Sequence, residues 1–209
     1  MKTYRAIAAL VAWLGLALQY YVMATSSGPG GEVGTLAHRS ANFFSYFTVL
    51  ANLLTAVMFT ATSVAPASKL GLFFARPTVR TGVALYMAVT AATYILILQG
   101  LWKPQGLHWV ADTTLHYVTP ALVLLDWALF SPKGSLRWAA VWPWLIFPLV
   151  YGIYSIVRGP HAAFYPYPFM DVSKLGLEKA VVNMVAMSAL FLVAGLAFVL
   201  LDRLMRPKS

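Results

Sequence analysis

Six apolar stretches follow one another along the chain, each close to the roughly 20 residues that an α-helix needs to cross a bilayer. The longest connections between them, residues 25–41 and 158–179, are too short to form a core of their own. The pattern predicts an all-α polytopic membrane protein with a single domain, residues 1–209, made of six transmembrane helices. The predicted helices are Tyr4–Ala24, Asn42–Val64, Thr81–Leu101, His108–Phe130, Leu136–Val157 and Ala180–Leu201.

Composition and charge placement support a membrane location. The chain is 60% hydrophobic and 10% charged, whereas soluble domains carry about 25% charged residues. A net charge of +9 suggests nucleic acid at first, but the basic residues cluster at one set of helix ends, which the positive-inside rule assigns to the cytoplasm. Both termini are therefore expected to be cytoplasmic, and no nucleic-acid partner is expected. The basic residues on this side are Lys2, Arg5, Lys69, Arg76, Arg80, Lys133, Arg137, Arg203, Arg206 and Lys208.

Polar side chains recur on one face of the predicted second helix. Ser45, Thr48, Asn52 and Thr55 follow the three-and-four spacing of a single helical face. That face is expected to point away from lipid. In this topology the second and fourth helices both run inward, so Thr48 and His116 lie at a similar depth, roughly 10 Å below the outer surface. The two side chains are expected to meet.

The predicted fourth helix carries three ionisable residues four apart, His108, Asp112 and His116. A histidine inside a membrane helix is rare and favours a functional role. Pro120 is expected to kink this helix just after His116. Asp126, near the cytoplasmic end, is expected to have a structural role.

The third and fifth predicted helices bring further polar residues to the outer level. Tyr94 and Gln99 come from the third helix, and Tyr151 and Arg158 come from the fifth. These residues are expected to line a cavity that opens toward the outer leaflet. Tyr94, Tyr151 and Arg158 are the predicted substrate contacts, and Arg158 suits a substrate carboxylate.

Two kinds of chemistry fit this set of residues. Thr48, His116 and Asp112 have the components of a hydroxyl nucleophile, a base and a group that orients the base. Asn52 or Gln99 are candidates to donate to an oxyanion. Alternatively, His108, Asp112 and His116 suggest a zinc hydrolase, but residues eight apart span about 12 Å of a regular helix, too far for one ion. The chain has no cysteine, and no cofactor or metal is predicted.

Three pieces of sequence together resemble the androgen-induced protein family and its bacterial six-helix relatives. They are FTVLAN at 47–52, LH followed by a proline at 115–120, and YPYPFMD at 165–171. The resemblance implies hydrolysis of fatty acid esters of hydroxy fatty acids, with a threonine nucleophile in the second helix and a histidine in the fourth. It carries these roles onto Thr48 and His116. It also implies a bacterial cytoplasmic membrane protein whose partners are a lipid ester and the surrounding lipids.

The expected function is therefore intramembrane cleavage of a lipid ester, with Thr48 as nucleophile and His116 as general base. The main alternative is a non-enzymatic protein that binds or transports a lipid or small solute. Such carriers often have internal repeats, and no convincing repeat is present here. A zinc-dependent hydrolase is the weaker alternative, and the sequence leaves the oligomeric state open.

Overall fold

The computed structural model describes residues 1–25 and 34–207, and these form helices and connecting turns without any strand. Lys208, one of the charges that predict the topology, lies outside these residues. The elements are α1 Lys2–Thr25, α2 Leu36–Phe43, α3 Phe47–Val64, α4 Lys69–Ala75, α5 Pro77–Thr93, α6 Gly106–Thr113, α7 Thr119–Phe130, α8 Val141–Ala162, α9 Val172–Leu175 and α10 Leu177–Leu204. A π-helical turn, Tyr94–Leu98, extends α5, and a second, Thr114–Val118, joins α6 to α7.

Five helices in the part of the chain described are long and apolar enough to cross a membrane. This confirms a helical membrane protein. The run from Gly106 to Phe130 is not among the five. It is helical throughout, in segments of 8, 5 and 12 residues, but it carries the polar residues Asp112, His116 and Asp126. The five helices are Lys2–Thr25, Phe47–Val64, Pro77–Leu98, Trp138–Ala162 and Leu177–Leu204.

The second predicted span begins later than expected. The sequence predicts a helix from Asn42, but α3 begins at Phe47 because Tyr46 has an extended backbone with φ −81° and ψ 128°. Ser45 therefore lies in the turn between α2 and α3, where its hydroxyl donates to the carbonyl of Ala41 at 2.6 Å. The prediction that Ser45 shares a helical face with Thr48 was wrong, and Thr48 is the second residue of α3.

Contacts divide the chain into two compact units, Met1–Pro132 and Lys133–Ser209, so the single domain stays a prediction. In the first unit α1 packs along α3, and the small residues Ala8, Ala12 and Gly15 of α1 are all buried. Small side chains let membrane helices approach closely. Gly15 lies against the π-helical turn at Thr114, because an added Cβ would lie 2.7 Å from the Cγ2 of Thr114.

A buried charge cluster joins three helices of the first unit. The carboxylate of Asp126 on α7 accepts from the Nε of Arg5 on α1 at 2.9 Å and from the guanidinium of Arg80 on α5. Arg80 also donates to the carbonyl of Phe130 at 3.0 Å. All three charged side chains are at most 7% exposed. Asp126 thus has the structural role expected of it, and Arg5 and Arg80 are buried partners of that carboxylate.

The second unit is built on α8 and α10. Gly152 on α8 faces Met184 on α10, where an added Cβ would lie 2.6 Å from the Met184 Cε. The carboxylate of Asp202 accepts from the backbone N–H of Leu136 at 2.9 Å. Asp171 caps α9, and the hydrogen bond from the Ser173 hydroxyl is the main reason why the pKa of Asp171 is lowered.

The charge cluster leads to a stability prediction. Asp126→Ala leaves two buried guanidinium groups without their carboxylate, so we expect the free energy of unfolding in detergent to fall by about 3–5 kcal/mol. Urea denaturation followed by circular dichroism measures this. Glu178→Ala, at an exposed position, is the control and should leave stability nearly unchanged. An Asp126→Ala protein as stable as the wild type would contradict a stabilising role for the cluster.

Candidate active site

Thr48 and His116, which the sequence predicts to lie at similar depth, are in contact in the first unit. The Oγ1 of Thr48 lies 3.3 Å from the Nε2 of His116. Thr48 is 7% exposed, and the His116 side chain is 14% exposed. At this separation the imidazole can take a proton from the hydroxyl. Hydrogen bonds of this kind are often long in the free protein and shorten when substrate binds.

The other ring nitrogen of His116 is held by Asp112. Nδ1 lies 3.0 Å from the backbone carbonyl oxygen of Asp112 and 3.2 Å from its carboxylate Oδ1. Both neighbours are acceptors, so the hydrogen-bond partners assign the N–H of the neutral ring to Nδ1. Nε2 then presents its lone pair to the Thr48 hydroxyl. This is the tautomer that a general base for Thr48 requires.

Tyr94 contacts both members of the His116–Asp112 pair. Its hydroxyl donates to the Asp112 carboxylate, and its ring stacks on the imidazole with centroids 3.9 Å apart and planes 15° from parallel. The ring of Tyr117 meets Tyr94 edge-on at 5.6 Å. Tyr94 is 4% exposed. These contacts hold His116 and Asp112 in place, and the role of Tyr94 as a substrate contact stays a prediction.

Both Tyr94 and His116 lie in π-helical turns, which often occur at functional sites. The turn around His116 ends at Val118, two residues before Pro120. In this turn the N–H of Thr119 bonds to the carbonyl of Thr114, five residues back, so it does not serve Leu115. The next residue, Pro120, has no N–H to donate. The carbonyl of Leu115 is therefore left without a donor from its own helix.

Asn52 on α3 supplies the missing donor. Its Nδ2 donates to the carbonyl of Leu115 at 3.1 Å and to the carbonyl of Thr48 at 2.9 Å. These two bonds use both amide hydrogens, so Asn52 has none left to donate to an oxyanion. Asn52 instead links Thr48 to Leu115, the residue before His116. This link sets the position of Thr48 relative to His116.

Two further predicted residues, Gln99 and His108, belong to the same unit. Gln99 is exposed and follows the π-helical turn that begins at Tyr94. His108 meets the ring of Trp102 edge-on at 5.9 Å. Within residues 1–25 and 34–207, no three His, Asp or Glu side chains gather as ligands for a metal ion. The zinc alternative therefore gains no geometric support in this part of the chain.

The remaining predicted contacts belong to the second unit. Tyr151 is buried on α8, and its carbonyl accepts from the Ser155 hydroxyl at 2.9 Å. The guanidinium of Arg158 lies 5.8 Å from the centroid of the Phe164 ring. Their roles in substrate binding stay predictions.

Sequence reasoning missed the π-helical turns and the contacts of Tyr94. Pro120 signals an irregularity close to His116, because it cannot supply the backbone hydrogen that a regular helix would direct at a carbonyl in the preceding turn. The turn at Tyr94 contains YILIL, which has no proline or glycine to mark it.

Neither a protein-family model, nor a curated protein, nor a solved structure matches this chain.

The hydrogen-bond partners of His116 predict its neutral tautomer. In ¹⁵N NMR of histidine-labelled protein, we expect the neutral His116 ring to carry its proton on Nδ1, because both neighbours of that nitrogen are acceptors. The His116→Gln variant identifies the signal among the four histidines of the chain. A neutral ring protonated on Nε2 would point a donor at Thr48 and contradict a base in this orientation.

Proposed function

We propose that this protein is an integral membrane hydrolase that cleaves a lipid ester, with Thr48 as nucleophile and His116 as general base. The observation that carries the proposal is the 3.3 Å contact between the Thr48 hydroxyl and Nε2 of an imidazole whose Nδ1 faces Asp112. Nucleophile, base and orienting group thus stand in the order that acyl transfer needs.

The first half-reaction transfers the acyl group to Thr48. His116 Nε2 takes the hydroxyl proton while Oγ1 bonds to the ester carbonyl carbon, which gives a tetrahedral intermediate. The intermediate collapses when the bond to the alcohol oxygen breaks, and that oxygen receives the proton from Nε2. In the second half, a water gives a proton to Nε2 and its oxygen attacks the acyl carbon. Thr48 then leaves with that proton, and a carboxylic acid is released.

The residues around His116 stabilise the charge that forms on it. When Nε2 takes the proton, the imidazolium lies between the Asp112 carboxylate and the stacked ring of Tyr94. A carboxylate and an aromatic face both attract a cation, and more strongly when water is excluded. Tyr94 and Asp112 therefore act as positioning residues for the base.

The position of Thr48 also favours negative charge on the substrate. Thr48 is the second residue of α3, and a helix N-terminus carries a partial positive charge, equivalent to about half an elementary charge. An oxyanion formed on an ester bonded to Thr48 would develop beside this end. The start of α3 replaces Asn52 as the favoured source of oxyanion stabilisation, because both amide hydrogens of Asn52 are bonded elsewhere.

The substrate class follows from the membrane setting and from the resemblance. A buried nucleophile between apolar helices is reached most directly by an ester that partitions into the bilayer. The resemblance to the androgen-induced protein family narrows this proposal to fatty acid esters of hydroxy fatty acids or similar acyl esters. Such esters carry a free carboxylate, and the role of Arg158 as its contact stays a prediction from the sequence.

The proposed topology has six spans, with both termini cytoplasmic and the protein in the bacterial cytoplasmic membrane. The helical run from Gly106 to Phe130, fourth in chain order, is the remaining proposed span, since it exceeds the roughly 20 residues required. Its two carboxylates are paired within the first unit, and pairing lowers their cost in a membrane. Asp112 contacts His116 and Tyr94, while Asp126 contacts Arg5 and Arg80.

Single-cysteine labelling tests this topology. The chain has no cysteine of its own, so each added cysteine reports alone. Lys103→Cys and Lys174→Cys should react with an impermeant maleimide from outside, whereas Ser68→Cys and Ser135→Cys should react only after the membrane is opened. Equal accessibility of positions 103 and 135 in intact cells would mean that Gly106–Phe130 does not cross, and would contradict six spans.

Variants of the contact pair test the chemistry. In lipid or detergent, a fluorophosphonate should label Thr48, and both Thr48→Ala and His116→Ala should abolish hydrolysis of long-chain esters. Because the two residues act as one unit, the double variant should be barely slower than either single variant. Rates on a panel of acyl esters and mass spectrometry of the labelled peptide are the measurements.

The matched control is Thr62→Ala, which removes a buried hydroxyl from the same helix, one that bonds back to the Met58 carbonyl at 2.8 Å. It should keep its label and its rate. Hydrolysis retained by Thr48→Ala would exclude Thr48 as the nucleophile. Wild-type protein that hydrolyses no acyl ester would favour the non-enzymatic carrier.

A further inference from the structure

Three exposed arginines lie at one end of the second unit. Arg137 precedes α8, while Arg203 and Arg206 lie at the end of α10. In the part of the chain that the structure describes, residues 1–25 and 34–207, no carboxylate pairs with any of the three. An anion from the surroundings can therefore approach them without displacing a protein carboxylate.

Hydrogen bonds hold together the two segments that carry these arginines. The N–H of Gly134 bonds to the carbonyl of Asp202 at 3.0 Å, and the N–H of Leu136 bonds to the Asp202 carboxylate at 2.9 Å. Arg137 directly follows Leu136, and Arg203 directly follows Asp202. These two arginines are therefore attached on either side of one hydrogen bond.

Side chains at the end of α10 pack on the segment before α8. The guanidinium of Arg203 lies 4.9 Å from the centroid of the Trp138 ring, which is a cation–π contact. The stem of Arg206 crosses Gly134, where an added Cβ would lie 2.6 Å from the Arg206 Cγ. Gly134 also has a φ of +79°, which glycine adopts without strain. Arg203 and Arg206 are thus packed through these contacts, yet both residues remain exposed.

The surface formed by residues 133–138 and 202–206, here called the arginine patch, has an excess of positive charge. Besides the three arginines it contains Lys133 and one carboxylate, that of Asp202. Asp202 is 1% exposed, and its carboxylate accepts from the backbone. Charges within about 10 Å of one another act together on an ion at 0.1 M salt, so they need not converge on one point. The arginine patch therefore presents a positive surface to its surroundings.

The arginine patch lies where two candidate membrane spans end. The span Trp138–Ala162 begins in it, and the span Leu177–Leu204 ends in it. Trp138 is 45% exposed and Trp142 is 64% exposed, and tryptophan is enriched where a bilayer meets water. A basic surface at this level faces lipid headgroups.

We propose that the arginine patch binds the headgroup of an anionic phospholipid. Arginine forms paired hydrogen bonds with phosphate oxygens, and each basic residue next to an anionic membrane surface strengthens binding roughly fivefold. A lipid is favoured over a soluble phosphate because Leu201 and Leu204, on the same end of α10, are 45% and 71% exposed and offer contacts to acyl chains. This binding site is independent of the proposed hydrolysis.

Binding of fluorescent lipids to the full chain in neutral detergent tests the arginine patch. By fluorescence anisotropy, phosphatidylglycerol should bind at least about tenfold more tightly than phosphatidylcholine with the same acyl chains. The patch variant has the substitutions Arg137→Gln, Arg203→Gln and Arg206→Gln. Its preference for phosphatidylglycerol should fall below about twofold. A wild type without the preference, or a patch variant that keeps it, overturns the site.

The matched control removes the same charge from exposed positions of the first unit. It has the substitutions Lys2→Gln, Lys69→Gln and Arg76→Gln. This variant should keep the preference for phosphatidylglycerol. An equal loss in both variants would mean that the lipid responds to the net charge of the chain, and overturns a site at the arginine patch.

Two titrations of the wild type complete the test and do not depend on the folding of a variant. Raising the salt from about 0.05 M to about 0.5 M should lower the preference at least about fivefold, because surface charges are screened. A preference that salt leaves unchanged overturns a site based on charge. Inorganic phosphate at millimolar concentration and constant ionic strength should leave the labelled lipid bound, whereas displacement would identify a site for free phosphate and overturn the lipid assignment.

Discussion

The missing backbone hydrogen of Pro120 is the constraint on which the candidate site depends. Because Pro120 cannot donate and Thr119 bonds to Thr114, the Leu115 carbonyl must find a donor outside its helix. Asn52 provides it and binds the Thr48 carbonyl with its other amide hydrogen. The Leu115 carbonyl, which lacks a donor in its own helix, is thereby bonded to α3. Thr48 and His116, which lie beside these two bonds, are the residues in contact.

The fourth helical run, Gly106–Phe130, is held at both ends by its carboxylates. Toward its start, Asp112 receives the hydroxyl of Tyr94 and faces His116. Toward its end, Asp126 is paired with Arg5 and Arg80. Separating a buried charge from its partners costs several kcal/mol. Sliding or rotating this run would break both sets of contacts at once, so such a movement is unfavourable. The low exposure of these groups therefore favours one fixed position for His116.

Periodicity and composition predicted most of the helices, because an apolar run of sufficient length has few alternatives in a bilayer. They predicted the start of the second span wrongly, since nothing in ANFFSYF marks the extended backbone at Tyr46. Equal depth was enough to predict contact between Thr48 and His116. Depth could not predict the tautomer, the stack of Tyr94 or the bonds of Asn52, because these depend on the change of register that π-helical turns introduce.

The three pieces of sequence that carry the resemblance have different physical roles. FTVLAN and the LH-to-proline piece form the Thr48–His116 contact and its Asn52 bond. YPYPFMD is fixed within the second unit. The Tyr165 ring lies on Gly159, where an added Cβ would be 2.0 Å from it, and the Phe169 carbonyl accepts from Asn183 at 2.9 Å. The proposed chemistry thus depends on the first two pieces, whereas the third contributes to the packing of its own unit. The case for a hydrolase therefore rests on the contacts of α3 with the fourth helical run.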